Sequence, residues 1–219
     1  MSIAINVEFL LGLGLAVLVN RNFKGQKLYR TIILTPMMIS PAVVGLNFKF
    51  LFNDLFGLFN NLLFLFRLID KPIAWLIDPA LAIFSIIITD IWQYTPFMML
   101  ILYAGLQALP REPYEAALVD GASSWQIFTK ITIPLLRPVI LIALTIRSLD
   151  IARLFDIIMI MTGGGPAHRT EVMGTYVFRL AIQDRMFGYG NAMAYISILI
   201  TIAFVAYLFK QLKATKLER

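Results

Sequence analysis

The 219-residue chain contains no cysteine and one histidine, and only 15% of its residues are charged. The missing thiols exclude disulfides and thiolate metal sites, and they leave the redox compartment unmarked in the sequence. His168 has no ligand-type residues clustered around it, which favours a surface role over metal binding. No G-x-x-x-x-G-K-[ST] segment occurs, and Gly163-Gly164-Gly165-Pro166 lacks the lysine and hydroxyl that a phosphate loop needs. That run reads as a turn, and nothing in the chain is equipped to hydrolyse ATP. An intramembrane enzyme would require clustered histidine or cysteine, or a paired nucleophile and base, and finds no support here.

Hydrophobic residues make up 59% of the sequence and the mean hydropathy is +0.79, more apolar surface than a soluble domain of this size can cover. The solvent is therefore lipid. Helices of about 17 to 25 apolar residues span a hydrocarbon core of roughly 30 Å. Five stretches qualify: Ile3–Val19, Ile32–Phe52, Ala80–Leu106, Val139–Thr162 and Gly190–Phe209. Their odd number sends the two ends to opposite sides.

Lysine and arginine set the orientation. Arg21, Lys24, Lys27 and Arg30 follow the first stretch; Arg111, Lys130 and Arg137 follow the third; Lys210, Lys213, Lys216 and Arg219 close the chain. These eleven share one side, against five on the other, Arg67, Lys71, Arg169, Arg179 and Arg185. The asymmetry assigns the 107–137 loop and the C-terminus to the cytoplasm and Met1 to the outside. The net charge of +6 thus reads as a topology signal rather than a nucleic-acid footprint. Ser2–Val19 has neither the basic leader nor the cleavage site of a signal peptide. A first helix entering from outside is hard to insert unaided, and a preceding helix is expected.

The 107–137 loop holds the densest polar pattern. Pro110 and Pro113 sit where a helix can begin, and Tyr114–Asp120 contains good helix formers, with Glu115 near the positive end of the dipole. Gly121 offers the backbone freedom for a sharp turn. Ser123 or Ser124 can cap a second helix in which Trp125, Ile127, Phe128 and Ile131 recur at helical spacing, with Pro134 and Pro138 limiting it. A helix–turn–helix elbow is predicted, apolar on one side and presenting small residues to a partner on the other. An amphipathic interfacial segment is the plainer interpretation.

Polar groups inside the apolar stretches are costly in lipid and should face protein or water. Arg147, Asp150, Arg153 and Asp156 alternate in sign every three residues, and Asp90, Gln93 and Tyr94 lie within the third stretch. One interpretation has the four charges neutralising one another as i, i+3 ion pairs. The other has some of them lining a translocation pathway. On a straight helix rising 1.5 Å per residue from Val139, Asp150 lies about 16 Å in, Arg153 about 21 Å and Asp156 about 25 Å. The last two approach the outer mouth, which favours them over Arg147. Gly12 and Ala16 form a small-xxx-small pair suited to helix packing, and Pro36, Pro41 and Pro96 permit kinks.

The loop spacing carries a resemblance. Glu115-Ala116-Ala117, three residues, Gly121, nine residues, Ile131, one residue, Ile133 and Pro134 resemble the EAA loop of permease subunits of ATP-binding cassette importers, with Ile133 where leucine is commoner. "LVNRNFKGQKLYR" (Leu18–Arg30), "LFNDLFGLFNNLL" (Leu51–Leu63), "PFMMLILYAGLQALP" (Pro96–Pro110) and "MTGGGPAHRTE" (Met161–Glu171) extend it over almost the whole chain, toward carbohydrate permeases of the maltose and glycerol-3-phosphate type. The resemblance implies an all-α integral membrane fold, the transmembrane domain of a type I importer, as a single permease domain over 1–219 with the coupling loop at 107–137. The family has six core helices, and the sequence starts at what looks like the second.

The resemblance also implies that Glu115, Ala116, Ala117, Asp120, Gly121, Ile131 and Pro134 form the surface that docks into an ATPase subunit. Asp90, Gln93, Tyr94, Asp150, Arg153 and Asp156 are the candidate pathway residues. Expected partners are a second homologous permease, two ATPase subunits and an extracytoplasmic solute-binding protein, in a bacterial-type cytoplasmic membrane. No cofactor and no metal are expected, and the solute is a sugar or a related compound such as glycerol 3-phosphate. A secondary transporter or channel would instead show inverted repeats or a filter of repeated polar residues, and neither is found.

Overall fold

Every regular element of the computed structural model is helical among the described residues, which are 2–21, 24–152 and 154–217. Helix α1 (Ser2–Val19) is followed by α2 (Gln26–Met38), α3 (Pro41–Leu51) and the short α4 (Leu58–Leu65). The central helix α5 (Pro79–Gln107) leads through α6 (Glu112–Val119) and α7 (Ser124–Ile127) into α8 (Ile133–Ala152). Helices α9 (Asp156–Met161), α10 (Met173–Phe178) and α11 (Phe187–Leu217) complete the chain.

Helix α5 begins sharply. Asp78 accepts hydrogen bonds from the Ala80 and Leu81 amides at 2.9 and 3.0 Å, and Pro79, which has no amide hydrogen to satisfy, occupies the first helical position. Over its apolar span 56% of α5 is buried, against 6% for α11, so α5 is the hub while α11 leaves an apolar face for lipid or another subunit. Helix α1 packs directly on α5. A Cβ added at Gly12 would lie 2.6 Å from the Met98 Cβ, and Ala16 is fully buried, so the small-residue pair is what lets the two backbones approach. On the α8 side of α5, Gly105 plays the same part, meeting Leu136 and Val139.

These contacts fix direction as well as proximity. Gly12 lies against Met98, and near the ends of the same two helices the Gln107 side chain donates to Asn20, so α1 and α5 run parallel. Gly105 meets Leu136 whereas Asp90 meets Arg147, so α5 and α8 run antiparallel. One end of the bundle therefore gathers Asn20, Gln107 and the elbow. The other gathers the 53–78 segment, where Phe52 packs on Phe59 and Trp75, and the loop after α9, whose Arg169 and Thr170 border a small pocket with Ile83 and Ile86.

All five expected apolar stretches are helical, but two of them are not single spans. Among the described residues three helices are long and apolar enough to cross a membrane, α1 is shorter, and the stretch Ile32–Phe52 is the bent pair α2 and α3, which meet at 93°. The break has a local cause: Ile39 and Ser40 both have ψ near +137°, as a residue before proline prefers, and Pro41 starts the next helix. The stretch Val139–Thr162 also divides. Helix α8 ends at Ala152 and α9 begins at Asp156, so a straight-helix depth for Asp156 does not apply. Pro134 and Pro138 do not limit the elbow's second helix as expected. A π-helical turn at Phe128–Thr132 joins α7 to α8, its closing bond running from the Ile133 amide to the Phe128 carbonyl. That wider turn accommodates Pro134, which has no amide hydrogen to donate, and α8 continues through Pro138.

Candidate functional site

The elbow is built from ordinary local rules. Glu112 and Glu115 occupy the first turn of α6, where negative charge suits the helix dipole. The turn that follows rests on Gly121 at φ +72°, a conformation that side chains disfavour. The Ser123 hydroxyl accepts from the Gln126 amide and the Gln126 side chain accepts from the Ser123 amide at 2.8 Å, a capping box that starts α7. The Tyr114 hydroxyl donates to Thr132 Oγ1 at 3.1 Å and closes the two arms on each other.

Of the expected coupling residues, Glu115, Ala116, Asp120, Gly121 and Pro134 are exposed, Ile131 is half-buried and Ala117 is buried between the arms. Three apolar side chains stand out beside them, Leu118 (66% exposed), Val119 (89%) and Trp125 (72%). Exposed apolar side chains on a capped, hydrogen-bonded frame are open to contact with a partner.

The intramembrane polar residues separate into three groups. Arg147 on α8 is fully buried and pairs with residues from two other helices: its Nε and Nη2 donate to the Glu8 carboxylate of α1 at 2.6 and 2.9 Å, and Nη2 donates to Asp90 Oδ2 of α5 at 2.6 Å. All three side chains have zero exposure. Arg147 is therefore not paired with Asp150 at i, i+3, and that expectation is corrected. A guanidinium fork can reach two carboxylates on facing helices at once, leaving Asp90 Oδ1 and Arg147 Nη1 without a hydrogen-bond partner among the described residues.

Gln93 serves the backbone. Its amide donates to the Ile39 carbonyl at 3.0 Å, supplying a partner to a group at the α2–α3 break that lipid cannot satisfy. The third group borders an open cavity of about 410 Å³, lined by Pro41, Tyr94, Phe97, Asp150, Phe155 and Asp156. The Asp150 and Asp156 carboxylates are exposed and have no ion-pair partner among the described residues. Asp90 and Gln93 do not line it. Arg153 lies outside the described residues. The cavity offers two acceptor groups and a phenol, a surface suited to hydroxyl-rich solutes.

Glu8 was not singled out from the sequence, although a signal was present. It is the sole charged residue in the first apolar stretch, and a lone carboxylate there demands a buried cation from elsewhere.

Residues 8–217 match the family model described as the binding-protein-dependent transport system inner membrane component. The trehalose/maltose transport system permease protein MalF of Thermococcus litoralis is 38% identical over 208 residues, covering 94% of this chain and 69% of that protein. The sulfoquinovosyl glycerol transport system permease protein SmoG of Agrobacterium fabrum is 38% identical over 196 residues, covering 90% and 63%. The chain thus spans about two thirds of the length of these relatives. A crystal structure of a bacterial ABC transporter involved in the import of the acidic polysaccharide alginate superposes with a TM-score of 0.84 at 25% identity, covering 96% of this chain and 77% of that one. A bacterial alginate ABC transporter in complex with alginate pentasaccharide-bound periplasmic protein gives a TM-score of 0.81 at 24% identity, covering 95% and 75%. Fold, elbow and sequence agree, and the chain belongs to the binding-protein-dependent transport system inner membrane components, the permeases of ATP-binding cassette importers.

Proposed function

We propose that the chain is a permease subunit through which a carbohydrate is imported, driven by ATP hydrolysis on separate subunits. It works with a second, homologous permease, two ATPase subunits and an external solute-binding protein, in the cytoplasmic membrane of the cell. The elbow faces the cytoplasm, as does the C-terminus. The observation that carries this proposal is the exposed trio Leu118, Val119 and Trp125 on a capped elbow that also bears the Glu115-Ala116-Ala117 and Gly121 pattern. Support for the solute class comes from the relatives and the solved structure, whose names each include a carbohydrate or a glycoside: trehalose or maltose, sulfoquinovosyl glycerol, and alginate.

In this mechanism the cavity bordered by Tyr94, Asp150 and Asp156 forms part of the pathway, and Arg153 belongs to the same segment. Asp90 and Gln93 act one layer behind it, holding the helices that form its wall. ATP-driven closure of the two ATPases moves the elbows, and the helices reopen to the other side around the solute. Trp125→Ala and Glu115→Lys test the elbow, because the first removes an apolar anchor and the second opposes the helix dipole. Each variant should insert normally and lose co-purification of the ATPase subunit or coupling of hydrolysis to uptake. Normal transport by both would remove the coupling role.

A further inference from the structure

The guanidinium of Arg147 does more than close ion pairs. Its carbon lies 3.8 Å from the centroid of the Tyr94 ring, so the cation sits over the face of the phenol while Glu8 and Asp90 hold its nitrogens. Tyr94 borders the open cavity, whereas Arg147 has no exposed surface. The Tyr94 hydroxyl makes no hydrogen bond among the described residues, so the ring's place in the cavity wall depends on what it packs against. Asp90 and Tyr94 are four residues apart on α5 and therefore share a face, which brings the ion-pair acceptor and the ring to the same guanidinium.

We infer that Arg147 is a positioning residue for the cavity: clamped by Glu8 and Asp90, it presents a flat cationic face that fixes Tyr94 as the cavity wall next to Asp150. The inference rests on the proposal that this cavity belongs to the solute pathway, and it adds a residue that never meets the solute. Lysine cannot substitute, because an ammonium keeps the charge and loses the planar face and the fork.

The absence of native cysteine permits a test that needs no identified solute. In the assembled transporter carrying Asp150→Cys, the rate of modification by a small water-soluble thiol reagent reports how open the cavity is beside Tyr94. Tyr94→Leu and Arg147→Lys should each speed modification at least about threefold, Tyr94→Phe should leave it unchanged, and Arg147→Lys with Tyr94→Leu should be no faster than Tyr94→Leu alone. Unchanged rates in Tyr94→Leu or in Arg147→Lys overturn the inference, as do effects that multiply in the double variant. Loss of assembly in Arg147→Lys also overturns it, since Arg147 would then be a folding residue and nothing more. Uptake of radiolabelled trehalose and maltose by Asp156→Asn is measured in parallel. Wild-type uptake there, with the expected labelling pattern intact, removes the pathway proposal while leaving the positioning of Tyr94 standing.

Discussion

Glu8 and Arg147 lie 139 residues apart in the chain and meet through a two-pronged contact of 2.6 and 2.9 Å with no solvent on either side. Asp90 completes the set, so α1, α5 and α8 share one charged joint at the centre of the bundle. Removing the cation alone leaves two carboxylates buried and uncompensated. Arg147→Leu should therefore cost about 3–5 kcal/mol of stability, while Arg147→Leu combined with Glu8→Gln and Asp90→Asn should recover most of it. Thermal unfolding in detergent, read from folded yield by size-exclusion chromatography, separates the two variants. Equal loss in both would mean that packing rather than charge balance holds this joint.

The apolar stretches were legible as helices because lipid imposes the same demand on every span, but not which of them are unbroken. The elbow's cap was legible as Ser123 or Ser124, and the capping box with Gln126 selects Ser123. What escaped depends on partners far along the chain. The bend at Pro41 could be foreseen as a kink, but its 93° angle is stabilised by Gln93, 54 residues from Ile39. The charge series from Arg147 to Asp156 suggested pairing within one helix, yet Arg147 found its partners on α1 and α5. Pro134 signalled a helix end by local rules, and a π-helical turn just before it overrode them. Asn60 was equally opaque: nothing near it in the sequence marks a partner, but it is 2% exposed and bonds Ile73, Trp75 and Asp54.

At Gly121 the constraint is conformational and not steric. A Cβ there meets nothing within 4 Å, so the cost of a side chain comes from φ +72° alone. Gly121→Ala should lower the stability of the elbow by roughly 1–2 kcal/mol, and Gly121→Asn by less, because asparagine tolerates the left-handed region. Protease cleavage within 112–132 measures this. Equal protection in wild type and Gly121→Ala would show that the turn adapts without strain.

Glu171, in the loop after α9, forms a part-buried ion pair with Arg179 just beyond α10, and the pH dependence of that pair has a definite sign. Arg179 donates to the Glu171 carboxylate at 2.8 and 3.3 Å, and that hydrogen bond holds the carboxyl below its ordinary range. A depressed carboxylate contributes stability that is fully present above its unfolded pKa, about 4.3, and is lost as pH falls through the lower folded value. Amide exchange in 163–172 should therefore quicken below about pH 4 in the wild type. In Arg179→Gln the loop should already exchange faster at neutral pH, with its acid response weakened. Identical acid responses in both proteins would show that the pair does not order the loop.

Single introduced thiols test the orientation on intact cells. Leu55 is 81% exposed in the 53–78 segment, and the His168 side chain is 64% exposed, so Leu55→Cys and His168→Cys should react with an impermeant reagent from outside. Ser124→Cys, on the exposed elbow at the other end of the bundle, should react only after the membrane is opened. Labelling of Ser124→Cys from outside would invert the topology and carry the elbow away from the side proposed for the ATPase subunits.

Uptake by the purified complex decides between an ATP-driven importer and a gradient-driven carrier. The chain is reconstituted in liposomes with the partner permease, ATPase subunits and solute-binding protein proposed for it, and radiolabelled trehalose or maltose, the solutes named for the relative MalF, is placed on the binding-protein side. Uptake should require ATP on the elbow side, should depend on the binding protein, and should vanish with Glu115→Lys while no ion gradient is applied. Accumulation that follows an imposed proton or sodium gradient and persists without ATP or the ATPase subunits would contradict the importer mechanism.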